Sequence, residues 1–156
     1  MATEDLLYVC EHYDVNNEAT QLLNQGADIN GTNVHGQTPL HLACQGCLRF
    51  ADEFRHCCGA RALILAKLLC DLGADVNFAD NFGRTPLSVA CHKNHPVVLL
   101  RLLLHHGADV NRVDSLGATP LWCACEDGHA SAARLLLARG AVLDQAQRRN
   151  AFFRRV

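Results

Sequence analysis

The chain alternates short apolar segments with polar breaks, at a spacing that predicts pairs of short helices. Within residues 83–111, a first apolar segment follows Leu87 and reaches a polar break at Lys93–His95. A second apolar segment then extends to His106 and stops at Gly107. Apolar residues that recur with a helical period are typical of helices that bury one side. The pattern therefore predicts a helix, a break and a second helix, followed by an extended turn.

The two ends of this unit recur along the chain. The opening Gly-x-Thr-Pro-Leu begins at Gly36, Gly83 and Gly117, and the ending Gly-Ala-Asp-Ile/Val-Asn begins at Gly26, Gly73 and Gly107, with a shortened Gly-Ala-Val at Gly140. A threonine hydroxyl can cap a helix start, and proline suits the first helical position. Glycine suits the left-handed residue at which many helices end. One unit cannot bury its apolar side alone, so the copies are expected to stack.

These motifs, together with a leucine pair in each second helix, resemble the ankyrin-repeat family, whose repeat has about 33 residues in a turn and two helices. The resemblance covers nearly all of the chain up to Gly140. It implies a single domain, residues 1–156, with an all-α solenoid fold of about four helix–turn–helix repeats joined by β-hairpin-like loops. The predicted parts are an N-terminal capping repeat (3–29), three further repeats (33–77, 80–111 and 114–141) and a C-terminal cap or tail (142–156).

The second repeat departs from the family pattern. Thr38 and Gly73 are 35 positions apart, whereas Thr119 and Gly140 are 21 positions apart. About fourteen residues are therefore inserted near 47–60, between the two helices of this repeat. Apolar residues at three- and four-residue spacings in the insert predict one or two additional helical turns.

The resemblance also implies a hydrogen bond between Thr38 and His41 that fixes the start of the second repeat. Ser88 and Trp122 occupy the histidine position in the next two repeats, so this bond is predicted to be absent there. The family further includes substrates of an asparaginyl hydroxylase, and the segments ending at Asn77 and Asn111 resemble its target pattern. The same asparagines are also expected simply to stabilise turns.

Composition excludes several classes of function. A net charge of −2 over 156 residues gives no general attraction for nucleic acid. No apolar segment approaches the roughly 18 residues of a membrane span, and the first residues lack the pattern of a signal peptide. Nine cysteines, an odd number, predict free thiols in a reducing compartment. The chain is therefore expected in the cytoplasm, with the nucleus as an additional location, in an oligomeric state that the sequence leaves open.

The cysteines allow two interpretations. Cys44, Cys91 and Cys125 occupy one position of successive repeats, where the family usually has alanine. A small buried side chain suffices there, so a structural role is favoured and no metal or cofactor is predicted. The alternative is a zinc- or redox-sensing site formed by residues in and next to the insert: Cys44, Cys47, His56, Cys57 and Cys58.

No motif indicates an enzyme. The chain lacks a Gly-x-Ser-x-Gly nucleophile motif, a phosphate-binding loop and a His-Glu-x-x-His zinc motif. Adjacent pairs such as Cys91–His92 do not indicate catalysis, because a nucleophile and its base normally meet through the fold. The prediction is a non-enzymatic module or scaffold that binds another protein, since stacked repeats form extended binding surfaces.

In ankyrin proteins, partner contacts come mainly from the hairpin tips and the first helix of each repeat. Carried over by position, these residues are Val34, His35, Gln37 and Gln45 in the second repeat, Asn81, Phe82, Arg84, His92 and Lys93 in the third, and Ser115, Leu116, Ala118, Trp122, Glu126 and Asp127 in the fourth. Apolar side chains at the tips are typical of interaction sites.

The charges of these positions change sign along the chain. The centre is basic at Arg84 and Lys93, and the C-terminal end is acidic at Glu126 and Asp127. The predicted partner is an elongated peptide or loop with an acidic centre, bound on the concave face. An alternative role is the substrate-recruiting part of a ubiquitin-ligase adaptor, whose ligase-binding box would lie beyond Val156.

Overall fold

The computed structural model describes residues 2–12, 18–45, 55–93 and 97–142. These ranges contain eight helices in four consecutive pairs: α1 (Ala2–His12) and α2 (Glu18–Asn24), α3 (Pro39–Gln45) and α4 (Arg55–Asp71), α5 (Pro86–His92) and α6 (Val97–His105), α7 (Pro120–Glu126) and α8 (Ala130–Ala138). No residue in the described ranges belongs to a β-strand. The prediction of an all-α repeat fold is confirmed.

The helices that start with proline are capped by the threonine before it. Thr85 has an extended backbone, with φ −91° and ψ 163°, and its hydroxyl accepts a hydrogen bond from the Ser88 N–H. The Ser88 hydroxyl accepts from the Thr85 N–H in return, at 3.0 Å, which completes a capping box. Thr119 caps α7 by accepting from the Trp122 N–H at 3.2 Å. Each cap satisfies a backbone donor that the first helical turn leaves free.

His41 has the equivalent role at the start of α3. Its Nδ1 lies 2.9 Å from the Thr38 hydroxyl and accepts from the Thr38 N–H at 3.2 Å, so the predicted Thr38–His41 bond is confirmed. Because Nδ1 accepts, the ring proton is on Nε2, which donates to the Arg84 carbonyl at 2.9 Å. Burial lowers the pKa of His41. The neutral ring therefore joins the second repeat to the third.

Glycine ends each second helix. Gly73 has φ +89°, and the following Ala74 N–H donates back to the Leu69 carbonyl at 2.9 Å. This left-handed exit satisfies carbonyls that have no partner within the helix. The same geometry occurs at Gly26, Gly107 and Gly140.

The four pairs stack into two rows of helices. Among the first helices, α1 packs against α3, α3 against α5, and α5 against α7, while α4, α6 and α8 form the second row. One continuous apolar core extends from Leu6 to Leu136. Within the leucine pairs, Leu136 is fully buried but its neighbour Leu137, on the last described helix, is 49% exposed. Each pair of helices thus buries its apolar side against the neighbouring helix pairs, as expected of a solenoid.

Three loops, which we call finger loops 1, 2 and 3 (residues 31–38, 78–85 and 112–119), precede α3, α5 and α7. Each is closed by one side-chain oxygen that accepts two backbone N–H groups, from the residues two and four positions later. In finger loop 2, Asp80 Oδ1 accepts from Phe82 and Arg84, both at 2.9 Å. Asn33 and Asp114 have the same role in finger loops 1 and 3.

Neighbouring finger loops contact each other through their backbones. The Asn81 N–H donates to the His35 carbonyl at 3.1 Å, and the Ser115 N–H donates to the Phe82 carbonyl at 2.9 Å. Gly83, with φ +73°, makes this approach possible, because a Cβ atom there would lie only 2.8 Å from the Ser115 nitrogen. The loops therefore stack in the same register as the helices.

An asparagine after each of the second helices α2, α4 and α6 also links one repeat to the next. Asn77 Oδ1 accepts from the Asp109 N–H at 2.7 Å, and its Nδ2 donates to the Gly107 carbonyl at 3.0 Å. Corresponding acceptor bonds join Asn30 to Asp75 and Asn111 to Val142, at 2.9 and 2.8 Å. These asparagines stabilise more than their own turns, because their side chains fix the register of the stack.

Helix α4 is longer than α6 and α8, the second helices of the two repeats that follow it. It has 17 residues, compared with 9 in α6 and 9 in α8. Residues 55–60 of the predicted insert form its first turns. Residues 47–54 and the predicted tail beyond residue 142 lie outside the described residues, and the division of the chain into repeats at the predicted boundaries stays a prediction.

Candidate protein-binding surface

An open groove of about 380 Å³ lies across the ends of successive first helices. It is lined by Gln45, Arg84, Val89, His92, Lys93 and Asp127. All of these except Val89 were predicted from their position in the repeat. Gln45 ends α3, His92 ends α5 and Asp127 follows α7. Residues from three repeats therefore meet here because the repeats stack.

Val89 gives the groove an apolar element among polar side chains. It is only 4% exposed and belongs to the core. The sequence pattern marks it as a buried position of α5, and nothing in that pattern shows that a buried side chain also borders a groove. An apolar surface combined with a few polar groups is typical of binding sites.

Arg84 is bound to its own loop. Its Nε and Nη2 donate to Asp80 Oδ2 at 2.9 and 2.7 Å, and the guanidinium lies 4.9 Å from the centre of the Phe82 ring. The Asp80 side chain is fully buried. Burial opposes ionisation of this carboxyl, but hydrogen bonds from Arg84 and Phe82 outweigh it and hold the pKa of Asp80 below its usual value. The charge of Arg84 is therefore largely neutralised by the carboxylate of Asp80.

His92 and Asp127 form a second internal pair. Their Nδ1 and Oδ2 atoms are 2.8 Å apart, and their side chains are 34% and 38% exposed. They are 35 residues apart in sequence and belong to adjacent repeats. A stack with a different register would separate them, so the pair depends on the tertiary structure.

Two charged side chains beside these pairs have no partner in the part of the chain that the structure describes. Lys93 and Glu126 are both exposed, and neither forms a hydrogen bond or ion pair with any described residue. Lys93 follows α5, and Glu126 is the last residue of α7. Of the charged side chains at the ends of α5 and α7, these two are the ones without a partner among the described residues.

The finger loops present apolar side chains to solvent. Val34 is 87% exposed, Phe82 55% and Leu116 91%. Phe82 and Leu116 occupy the same position of consecutive loops, two residues after the side chain that closes the loop. Because exposing such side chains gives up hydrophobic stabilisation, a row of them at consecutive tips favours an interaction surface.

The remaining predicted contact residues differ in exposure. His35, Asn81 and Ser115 are exposed at the tips. Gln37 is only 5% exposed, and its Oε1 accepts from Asn33 at 3.3 Å, so it holds finger loop 1 together and presents little surface. Ala118 and Trp122 are partly buried against the core.

The described cysteines are buried and free: Cys10, Cys44, Cys70, Cys91, Cys123 and Cys125. Burial raises the pKa of Cys44 well above its usual value and that of Cys10 to about 12. This opposes the thiolate form that metal binding and redox reactions require. The side chains of Cys47, His56, Cys57 and Cys58 lie outside the described part of the chain, within which no cluster of three or more metal-binding groups occurs.

Helix pairs stacked into two rows, with finger loops along one edge, define a solenoid repeat protein. The family model for ankyrin repeats (three copies) matches residues 54–147, and the chain belongs to the ankyrin-repeat family. A search of curated proteins found no match to the chain. Ankyrin repeats generally mediate protein–protein interaction and are typically non-enzymatic. Among the described helices, none combines the length and apolar character that crossing a membrane would demand.

Proposed function

We propose that this chain is a binding module that holds a peptide or loop of a partner protein against its concave face. The proposed contact surface consists of the groove and the tips of the three finger loops. The observation that carries the proposal is that the groove and three exposed apolar tips occur on adjacent elements of three successive repeats. A surface that extends over several repeats fits an elongated partner segment better than a small molecule.

The composition of the surface also supports a protein partner. Val34, Phe82 and Leu116 supply apolar area that is not used within the fold, while Gln45 and Lys93 supply hydrogen-bond donors. Interfaces commonly combine an apolar centre with a polar rim. The alternative roles, in a ubiquitin-ligase adaptor or in zinc or redox sensing, stay predictions. The raised pKa of Cys44 argues against zinc or redox sensing that uses this thiol.

The experiment compares two matched double variants as baits for affinity capture from cell extract. The surface variant carries Phe82→Ala and Lys93→Glu, and the control variant carries Val98→Ala and Arg101→Glu on α6. Phe82 and Val98 are each 55% exposed, and neither Lys93 nor Arg101 is paired with a described residue. Each variant thus removes one exposed apolar side chain and reverses one unpaired cation. Circular dichroism and thermal unfolding are used to check that both variants are folded before their partners are compared.

The expected result is a partner that the wild-type and control baits retain and the surface variant loses. Losing one central apolar contact commonly costs about 1–2 kcal/mol of binding, a five- to thirtyfold change in Kd. A partner retained by the surface variant but lost by the control variant would move the interface to the second helices. Arg84 is left unchanged because its pairing with Asp80 makes it part of the fold.

A further inference from the structure

We propose that the bound partner segment has a defined order of charges, with an acidic side chain at Lys93 and a basic side chain one repeat further along, at Glu126. This inference rests on the proposed function and specifies the chemistry of the partner. The inference follows because the fold neutralises some of the charges on this surface and leaves others unpaired.

Two of the three basic side chains that line the groove are paired within the protein. Arg84 makes two hydrogen bonds to Asp80 Oδ2, and His92 contacts Asp127 Oδ2 at 2.8 Å. The opposite charges of Arg84 and Asp80 largely cancel at longer range, since their fields subtract, and the contact with Asp127 occupies the His92 ring. Lys93 is left as the unpaired cation among the described lining residues of the groove.

The next repeat is electrostatically different. Glu126 is exposed and has no partner among the described residues. Asp114 closes finger loop 3 as Asp80 closes finger loop 2, but Ala118 stands where Arg84 pairs with Asp80. Among the described residues, no cation pairs with Asp114 as Arg84 pairs with Asp80. At the ends of the first helices, the unpaired charge thus changes from positive at Lys93, after α5, to negative at Glu126, in α7.

The separation of these charges sets the spacing in the partner. Helices α5 and α7 are direct neighbours, and packed helices lie about 8–10 Å apart. An extended chain advances about 3.3 Å per residue, so three residues span this distance. The partner segment is expected to have an acidic and a basic residue at positions i and i+3. Apolar residues nearby would contact Phe82 and Leu116, whose loops precede α5 and α7.

The test uses 12-residue peptides selected from a random display library against the full wild-type chain. One selected peptide and a second with its acidic and basic residues exchanged are each titrated into two proteins. One protein is the wild type, and the other carries Lys93→Glu together with Glu126→Lys, which leaves the net charge unchanged. Fluorescence polarisation gives the four values of Kd. An Arg134→Glu variant, at an exposed position of α8, serves as the control for nonspecific charge effects.

The expected result is reciprocal compensation. The selected peptide should bind the charge-exchanged protein about tenfold more weakly than the wild type, because an exposed ion pair is worth at most about fivefold in affinity and two pairs are lost. The exchanged peptide should recover this loss on the charge-exchanged protein. Arg134→Glu should change neither Kd by more than about twofold, as expected of an exposed, screened charge that does not line the groove.

The other outcomes overturn the inference and separate it from the proposed function. A Phe82→Ala protein is titrated with the same peptides to separate the two proposals. Equal affinities across the four combinations, with binding still lost in Phe82→Ala, would refute the charge order and leave the proposed function in place. Peptides that are insensitive both to the charge exchange and to Phe82→Ala would refute both proposals. A selection that yields no peptide above the empty display particle would also count against both.

Discussion

Gly83 and Gly117 provide a direct test of how much stability the stacking of finger loops contributes. They occupy equivalent positions in finger loops 2 and 3, with φ values of +73° and +77°. A Cβ atom on Gly83 would lie 2.8 Å from the Ser115 nitrogen and 3.2 Å from the Asp114 carbonyl carbon, whereas one on Gly117 would meet no atom within 4 Å. Alanine at the two sites shares the same backbone penalty and differs in the contact with the next loop.

The magnitudes follow from these two terms. An alanine in the left-handed region destabilises the folded state by about 1–2 kcal/mol. Alanine also lowers the conformational entropy of the unfolded chain, which stabilises the protein by about 0.4–1 kcal/mol. Gly117→Ala should therefore lower the free energy of unfolding by about 1 kcal/mol. Gly83→Ala should additionally push the next loop away and lose the 2.9 Å bond from the Ser115 N–H to the Phe82 carbonyl. A lost bond of this kind and the accompanying strain add about 1–2 kcal/mol.

Urea unfolding followed by circular dichroism measures the difference. With a slope of about 2 kcal/mol per molar urea, Gly117→Ala should lower the midpoint by about 0.5 M and Gly83→Ala by about 1–1.5 M. Repeat proteins can unfold in parts, so a tryptophan fluorescence curve should coincide with the circular dichroism curve before the values are compared. If both variants lost the same stability within about 0.5 kcal/mol, the contact between finger loops would not be what makes glycine necessary at position 83.

Three other side chains can be tested singly. Arg84→Gln should lower the free energy of unfolding by about 1–3 kcal/mol in urea titrations, because it leaves the buried carboxylate of Asp80 without its ion pair; an unchanged midpoint would refute the structural role of this arginine. Stability should fall as the pH drops below 6.5, because the pKa of His41 is lowered from 6.5 in the folded state, so the unfolded chain takes up the proton first. His41→Ser, which copies the serine cap of the next repeat, should flatten this slope even though it lowers overall stability, and an unaltered slope would assign the pH dependence to other groups. Asn77→Ala removes two hydrogen bonds to the next repeat and should cost about 1–2 kcal/mol by the same assay, whereas a neutral effect would show that the asparagine links add no net stability.

Local features of the fold could be predicted from the sequence because they depend on residues close together in the chain. The cap at Thr85, the left-handed exit at Gly73 and the bond between Thr38 and His41 each involve side chains within a few positions of one another. In the third repeat, the apolar pattern predicted a first helix that ends near Lys93 and a second that ends near His106, where α5 and α6 end. The exposed apolar tips at Phe82 and Leu116 also followed from repeat position.

The candidate site was predictable only in part. Repeat position identified five of the six residues that line the groove, but it could not distinguish a free charge from a neutralised one. Arg84 was predicted to meet a partner, and the structure shows it bound to Asp80. Their spacing of four residues is present in the sequence, yet such spacing becomes an ion pair only when the loop turns back on itself.

What the sequence determined by itself is a unit: a capped helix, a second helix, a glycine exit and a loop, together with the need to stack. That information is local because caps, turns and helical periodicity are satisfied within a few residues. Only the tertiary structure decided the register of the stack. The pair between His92 and Asp127 and the bond from Asn77 to Asp109 join residues more than thirty positions apart. Such contacts form only after each apolar side is buried against the next repeat. Which charges at the ends of α5 and α7 stay unpaired, Lys93 and Glu126, is therefore a property of the assembled stack.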